Sequence, residues 1–286
     1  MITRGQHHEQ GWISVLYNPV TLALDTLTTV WRRENLGEPH NVLVDTVYWL
    51  DEEGERQALQ RAGDDMAMNG VLMGRDLSPD FRETLQIVAR PNVEYFGWIG
   101  LRPTEERAES NLAVLAASVG QDGVLVVRDG DQVTIGPCSS EGLAEALVDK
   151  MPNVPAGRGR SVNLPEREMR QLRARRGAGA PGEAPQLPAE AFNIFPRQSM
   201  AEDARDLFTV LELSRSGGGE LYAAARARSG ERRRCPHPLV YMDTEQGRWI
   251  TQLSGDQPGE RWMVAAPASR SLLISKLHEM RSRIDD

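Results

Sequence analysis

Cysteine is scarce in this chain of 286 residues: Cys138 and Cys235 are the only two. Neither belongs to a C-x-x-C pair, so the pattern carries no disulfide framework and favours a reducing compartment. Histidine is scarce too, with five residues. His7 and His8 lie in a polar N-terminal stretch, His40 follows Pro39 in a loop, and His278 sits on the last helical segment. Only "CPHP" (235–238) brings a thiol and an imidazole close together. A zinc site needs three or four ligands, so a strand entered through two prolines explains this segment better than a metal does. No run of about 18 apolar residues occurs, which leaves nothing to span a bilayer. The opening "MITRGQHHEQGW" lacks the basic-then-apolar order of a secretory signal. The expectation is a cytoplasmic protein with no membrane insertion.

Recognisable catalytic signatures are also missing. There is no G-x-S-x-G elbow. "SGGGE" (216–220) lacks the Lys and Ser/Thr of a phosphate loop and precedes a strand, so it reads as a flexible turn. "GRGRS" (157–161) could touch phosphate but reads better as linker. The carboxylates are many and spread over the surface, and no spacing singles out an acid/base pair. No cofactor is expected, and a binding role suits the chain better than catalysis. A site assembled only in space stays open, as does a small-molecule binder or enzyme on the same scaffold.

What is present is a globular composition, 40% hydrophobic and 26% charged. The net charge of −8 is unevenly divided: residues 1–150 hold 24 acidic and 12 basic side chains, residues 151–286 hold 17 and 21. An acidic first half argues against a broad nucleic-acid footprint. The asymmetry either solubilises each half or orients a partner.

Helical and strand patterns alternate along the chain. Val20, Leu24, Leu27 and Trp31 share one helical face. "VLVDTVYWL" (42–50) reads as a strand, and the helix after it places Leu59, Ala62 and Met66 inward. Ser78 and Pro79 open a helix that buries Phe81, Leu85 and Val88. Strands follow at 93–101 and 111–120, then a hairpin, "GVLVVRDGDQVTIGP", turning at Asp129-Gly130, then a helix with Leu143, Leu147 and Val148 inward. Residues 152–161 read as a connection and 176–188 as a Gly/Pro-rich loop, with a short Arg/Glu helix, "EREMRQLRARR", between. A helix over 201–214 uses Ala204, Leu207, Phe208 and Leu211. The second half then repeats the phrase: strands in "GELYAAARA" and "HPLVYMDT", a turn at Gly247, "RWITQL", "RWMVAA", and a closing helix. Short hairpin connections mean antiparallel pairing. The fold class is α+β: a central antiparallel sheet flanked by helical bundles, in two pseudo-symmetric halves, 1–151 and 162–286, joined by 152–161. Trp249 belongs to the core.

Taken together, "LTTVWRRENLGEPHNVLV", "ETLQIVARPNVEYFGWI", "GVLVVRDGDQVTI", "GLAEALVDKMP", "GRSVNLP", "GGGELYAAARARSGERRRCPHPLVYMDTEQGRWI" and "ERWMVAAPASRSLLISKL" resemble, in order and spacing, the EspG family over about residues 20–281. The resemblance implies a non-catalytic cytosolic chaperone of type VII (ESX) secretion. Its partner would be a secreted helical substrate, a PE–PPE-like heterodimer or a small Trp-x-Gly helical-hairpin protein, gripped at its helical tip. Free, it would be a monomer or weak homodimer. The loop matching the family's grip is "RPTEERAES" (102–110). On expected exposure, Arg102, Glu105, Glu106 and Arg107 are candidate partner-binding residues. So are Arg226 and Arg228, from "RARSGERRR" (226–234). Arginines on such a hairpin either protect a sheet edge or recognise a partner.

Overall fold

The computed structural model describes residues 15–44, 52–101, 110–169, 197–255 and 261–285. The elements run β1 (Val20–Ala23), α1 (Leu24–Arg33), a 3-10 turn (Asn41–Leu43), α2 (Glu52–Met68), β2 (Leu72–Met73), β3 (Asp76–Leu77) and α3 (Pro79–Ala89). Then follow β4 (Val93–Leu101), β5 (Ser110–Val119), β6 (Asp122–Asp129), β7 (Gln132–Ser139), α4 (Leu143–Val148) and β8 (Val162–Pro165). The chain continues with α5 (Arg197–Glu212), β9 (Arg215–Arg226), β10 (Arg232–Arg234), β11 (Leu239–Thr244), β12 (Gly247–Ser254), β13 (Trp262–Pro267) and α6 (Arg270–Asp285).

One antiparallel sheet organises the described residues, in the order β1-β7-β6-β5-β4-β9-β11-β12-β13-β8, with β10 paired to β9 off this path. This is the α+β architecture expected. Strands from the first half occupy one side and strands from the second occupy the other. Each side is a meander, β4 to β7 or β9 to β13, with an earlier strand, β1 or β8, added at its outer edge. The sides meet at β4 and β9, which pair from Val93↔Ala225 to Gly100↔Gly218. The turns predicted from glycine form because Gly130 and Gly247 take φ of 60° and 107°, conformations that a side chain disfavours.

Cross-strand partners point to the same face of a sheet, so the register assigns the layers. Phe96, Leu115, Ala117, Val126 and Ala224 lie on one face beneath the buried sides of α1, α2 and α3. On the same face α5 covers the far side, through Leu207 over Val162, Leu164 and Ala265 and through Val210 against Met242 and Trp249. The opposite face carries Tyr95, Ile99, Val114, Leu221, Tyr241 and Ile250, packed under Leu143 and Leu147 of α4 and Leu273 and Leu277 of α6. Trp249 is buried, as expected.

Four expectations need correction. Val20 belongs to a strand, not to the first helix, because Val20–Ala23 pair with β7 in register Val20↔Ile135. The expected strand at 42–50 is instead a 3-10 turn over Asn41–Leu43, capped by His40, whose Nδ1 accepts from the Val42 amide at 3.3 Å; residues 45–50 lie outside the described residues. Leu59 is 55% exposed, while Ala62 and Met66 are buried, so the helix face is rotated from the one read. The "SGGGE" segment is not a turn: Ser216–Glu220 lie inside β9, between β4 and β11. Glycine serves there because neighbouring backbones come too close for a side chain.

The connection 152–161 runs against the start of β12. Gly157 donates to the Arg248 carbonyl at 2.8 Å, and Arg248 donates its own amide to Pro155 at 2.7 Å. Of "EREMRQLRARR", residues 166–169 are helical. The rest of it and the 176–188 loop lie outside the described residues.

Candidate functional site

Between the helices on the first sheet face, the central strands stay partly uncovered. Trp98 and Gly100 of β4, Gly218, Glu220 and Tyr222 of β9, and Val240 of β11 share that face by register. Glu220 is exposed and the other five are half-buried. Phe96 and Tyr222 stack at 5.2 Å between centroids. Trp98 stands edge-on to Tyr222 at 6.1 Å. The Tyr222 hydroxyl donates to Glu220 Oε2 at 2.7 Å. Burial and the neighbouring Glu220 carboxylate push that phenol up to about 12. Gly100 and Gly218 sit opposite each other and leave a stretch of bare backbone beside the aromatics. The strip offers flat aromatic surface, one carboxylate and close backbone approach. Those are features of a docking surface, since a catalytic site needs converging polar groups.

An arginine hairpin borders this strip. Arg234 lies over the Tyr222 ring at 5.0 Å, and Arg232 over Phe96 at 5.6 Å. Arg232 also pairs with Glu94, a buried carboxylate on β4. Of the candidates read from the sequence, Arg226 is half-buried and turned inward, donating to Gly230 O at 2.7 Å and Pro91 O at 3.4 Å. Arg228 is exposed in the turn between β9 and β10. Arg102, Glu105, Glu106 and Arg107 lie outside the described residues. The structure thus brings Arg226 and Arg228 to one hairpin. It adds Trp98, Glu220, Tyr222 and Arg234, which the sequence reading did not single out. Strand alternation could have aligned 96, 98 and 100, or 218, 220 and 222, on one face each. The pairing of β4 with β9, which puts the two sets side by side, leaves no local trace.

His40 closes the hairpin from the first half. Its ring meets Phe96 edge-on at 4.6 Å, its Nε2 lies 3.5 Å from Glu94 Oε2, and Arg232 approaches the same nitrogen at 3.2 Å. Burial, and then the Arg232 cation, lower His40 from 6.5 to about 3. The contact with Glu94 is therefore one of a neutral imidazole. The unfolded chain takes up a proton at His40 below about pH 6.5 while the folded chain does not, down to about 3. Stability contributed by the neutral ring is complete above that range and lost as the pH falls through it. Glu94 acts in the opposite sense, because burial raises it. His40→Asn keeps a cap acceptor and removes the titration. From pH 7 to 5 the unfolding free energy measured in urea should fall further for the native chain than for this variant, by up to about 2 kcal/mol. Equal falls would exclude His40 as an acid-sensitive group.

A small-molecule site needs an open pocket with converging polar groups, and the thiol and imidazole of "CPHP" (235–238) are the nearest such pair in the sequence. Cys235 is instead buried, with its Sγ accepting from the Ala223 amide at 3.3 Å, and burial pushes the thiol up. A buried thiol of raised pKa is unreactive. A cavity of about 250 Å³ lies on the opposite sheet face, lined among others by Tyr95, Ser118, Ser140, Glu141, His278 and Arg281. The Tyr95 hydroxyl and His278 Nδ1 are 3.1 Å apart there. Among the described residues, no group of three or more His, Cys, Asp or Glu is placed to hold a metal ion. None of the described helices is long and apolar enough to cross a membrane.

With the sheet, its helical layers and the open strip defined, comparison with known proteins becomes informative. The model of the EspG family matches residues 23–279. The chain belongs to the EspG family. Among solved structures, this EspG chain is similar to the Mycobacterium tuberculosis type VII secretion system chaperone EspG5 in complex with the PE25–PPE41 dimer. The TM-score is 0.66 at 15% identity, over 92% of this chain and 96% of that one. At that identity the likeness establishes the shared EspG fold. No curated protein sequence matches.

Proposed function

We propose that this EspG-family chain is a non-catalytic type VII secretion chaperone that acts in the cytoplasm. In this reading it binds the helical tip of a secreted substrate, a PE–PPE-like heterodimer or a small helical-hairpin protein, and keeps it soluble until export. Family membership over residues 23–279 carries the reading. It is supported by the fold shared with EspG5, solved with a PE–PPE dimer. Physically, a secreted helical pair with an apolar tip aggregates unless the tip is covered. The strip of Trp98, Tyr222 and bare backbone is a surface that could cover it, with a polar rim supplied by Glu220 and the hairpin arginines. The two runs of strands, with the connection 152–161 held against β12, support treating 1–151 and 162–286 as duplicated halves of one compact unit.

The deciding experiment is co-expression with each small helical protein encoded beside this chain, followed by gel filtration. A complex near one-to-one, with improved substrate solubility, is the expected outcome. The reading fails if no candidate comigrates or gains solubility. A second reading, small-molecule binding, has the cavity beside Tyr95 and His278 in its favour. It predicts thermal stabilisation by a metabolite instead of a protein complex.

A further inference from the structure

The hairpin "RARSGERRR" (226–234) carries five arginines and one glutamate. Their charges are not equally available. Arg232 is neutralised by buried Glu94. Arg233 pairs with Glu231 at 3.2 Å. Arg226 is engaged by the carbonyls of Gly230 and Pro91. Arg234 is held on the Tyr222 ring, and no carboxylate among the described residues is paired with it. Arg228 stands exposed in the turn, likewise without a carboxylate partner among the described residues. Arg228 and Arg234 are thus the two held by neither a carboxylate nor a backbone carbonyl among the described residues.

Edge protection explains charged strands in many sheets, and β10, whose one partner among the described strands is β9, keeps an open edge that its arginines protect. The placement of Arg234 argues for recognition besides. Stacking on Tyr222 orders the guanidinium, which lowers the entropy lost when its N–H fork meets a carboxylate. Tyr222 belongs at the same time to the uncovered strip, so a partner lying on the strip passes beside Arg234.

We propose that Arg228 and Arg234 anchor an acidic segment of the protein client, next to the apolar surface that the strip receives. This rests on the chaperone reading and specifies the chemistry of its partner. Cations without a carboxylate partner, one of them held on an aromatic ring, favour a run of Asp or Glu, through charge-assisted and bidentate hydrogen bonds. They also make association faster at low ionic strength.

The test uses the full chain and a fluorescein-labelled octaglutamate peptide, with octaglutamine as control, followed by fluorescence anisotropy. Octaglutamate should bind and weaken as salt is raised, and Arg228→Glu/Arg234→Glu should cut its affinity by at least about tenfold. Arg56→Glu, at an exposed cation on α2, should not. Arg228→Glu alone touches an exposed turn and leaves the fold intact, so it should lower affinity by about threefold even if loss of the Arg234 stack disturbs the hairpin. Equal binding by the native chain and both hairpin variants, or no binding by the native chain, overturns the proposal. The same variants are then placed in the complex obtained by co-expression. If the native complex forms and the hairpin variants bind the client unchanged, the acidic anchor is wrong and the chaperone reading stands. If no client binds the native chain, both readings fall.

Discussion

Arg248→Met is expected to destabilise the protein by about 3–5 kcal/mol, because it strands a buried carboxylate. Arg248 and Asp243 sit opposite each other on β12 and β11, with side chains only 5% and 3% exposed. The pairing is bidentate: Nε donates to Oδ1 at 2.6 Å and Nη2 to Oδ2 at 2.8 Å. Nη2 also reaches the Pro152 carbonyl at 2.9 Å, and the guanidinium lies over Tyr241 at 5.1 Å. The Arg248 main chain holds Pro155, Gly157 and Ala268 as well. One residue therefore joins the connection, β12 and the approach to α6. In a protein of this size the loss should lower the melting temperature by roughly 10 °C. The double variant Asp243→Leu/Arg248→Met removes both charges and should regain most of the loss, since a buried pair exchanged for apolar residues is often neutral. Differential scanning calorimetry of the three proteins is the measurement. A single variant as stable as the native chain would show that the pair is dispensable.

Gly219→Ala should be of similar severity, at least about 3 kcal/mol, for a steric reason. Gly219 lies opposite Ile99 where β9 and β4 join the two sides of the sheet. A Cβ there would come 2.0 Å from the Trp98 carbonyl oxygen and 2.8 Å from the Tyr241 ring. The requirement is space rather than backbone conformation, because Gly219 does not take a positive φ. The ring could turn, but the carbonyl belongs to a central strand paired on both sides and cannot withdraw cheaply. Urea unfolding should show a lowered midpoint and, if the β4–β9 junction opens first, a second transition. A single transition at the native midpoint would mean that the sheet absorbs the methyl group. The same residue explains why "SGGGE" is strand and not turn. A run of glycines signals a turn locally, whereas here it marks strands packed too closely for side chains.

Other features were legible because their physics is local. The Ser78-Pro79 cap, the Asp129-Gly130 turn and the strand in "VEYFGWIGL" each follow from a few neighbouring residues, and each appears where expected. The β1 strand was not legible. Val20–Ala23 continues the apolar spacing of α1, and only pairing with β7, more than a hundred residues away, makes it extended. The candidate site divides in the same way. The arginines of 226–234 could be chosen by composition. Their availability could not, because it depends on Glu94 and Tyr222 from other segments.

By itself, then, the sequence determined an antiparallel α+β protein of the EspG family, without cysteine frameworks or catalytic signatures, with one arginine-rich hairpin and a core Trp249. Composition, periodicity and turn chemistry are properties of neighbouring residues and suffice for the fold class, while the family rests on the order and spacing of the motifs along the chain. Only the tertiary structure decided that β4 and β9 meet, that Trp98 and Tyr222 lie together on a partly uncovered strip, and that Arg228 and Arg234 are the hairpin arginines held by neither a carboxylate nor a backbone carbonyl among the described residues. Those facts depend on contacts between distant segments, where pairing register and burial override every local preference.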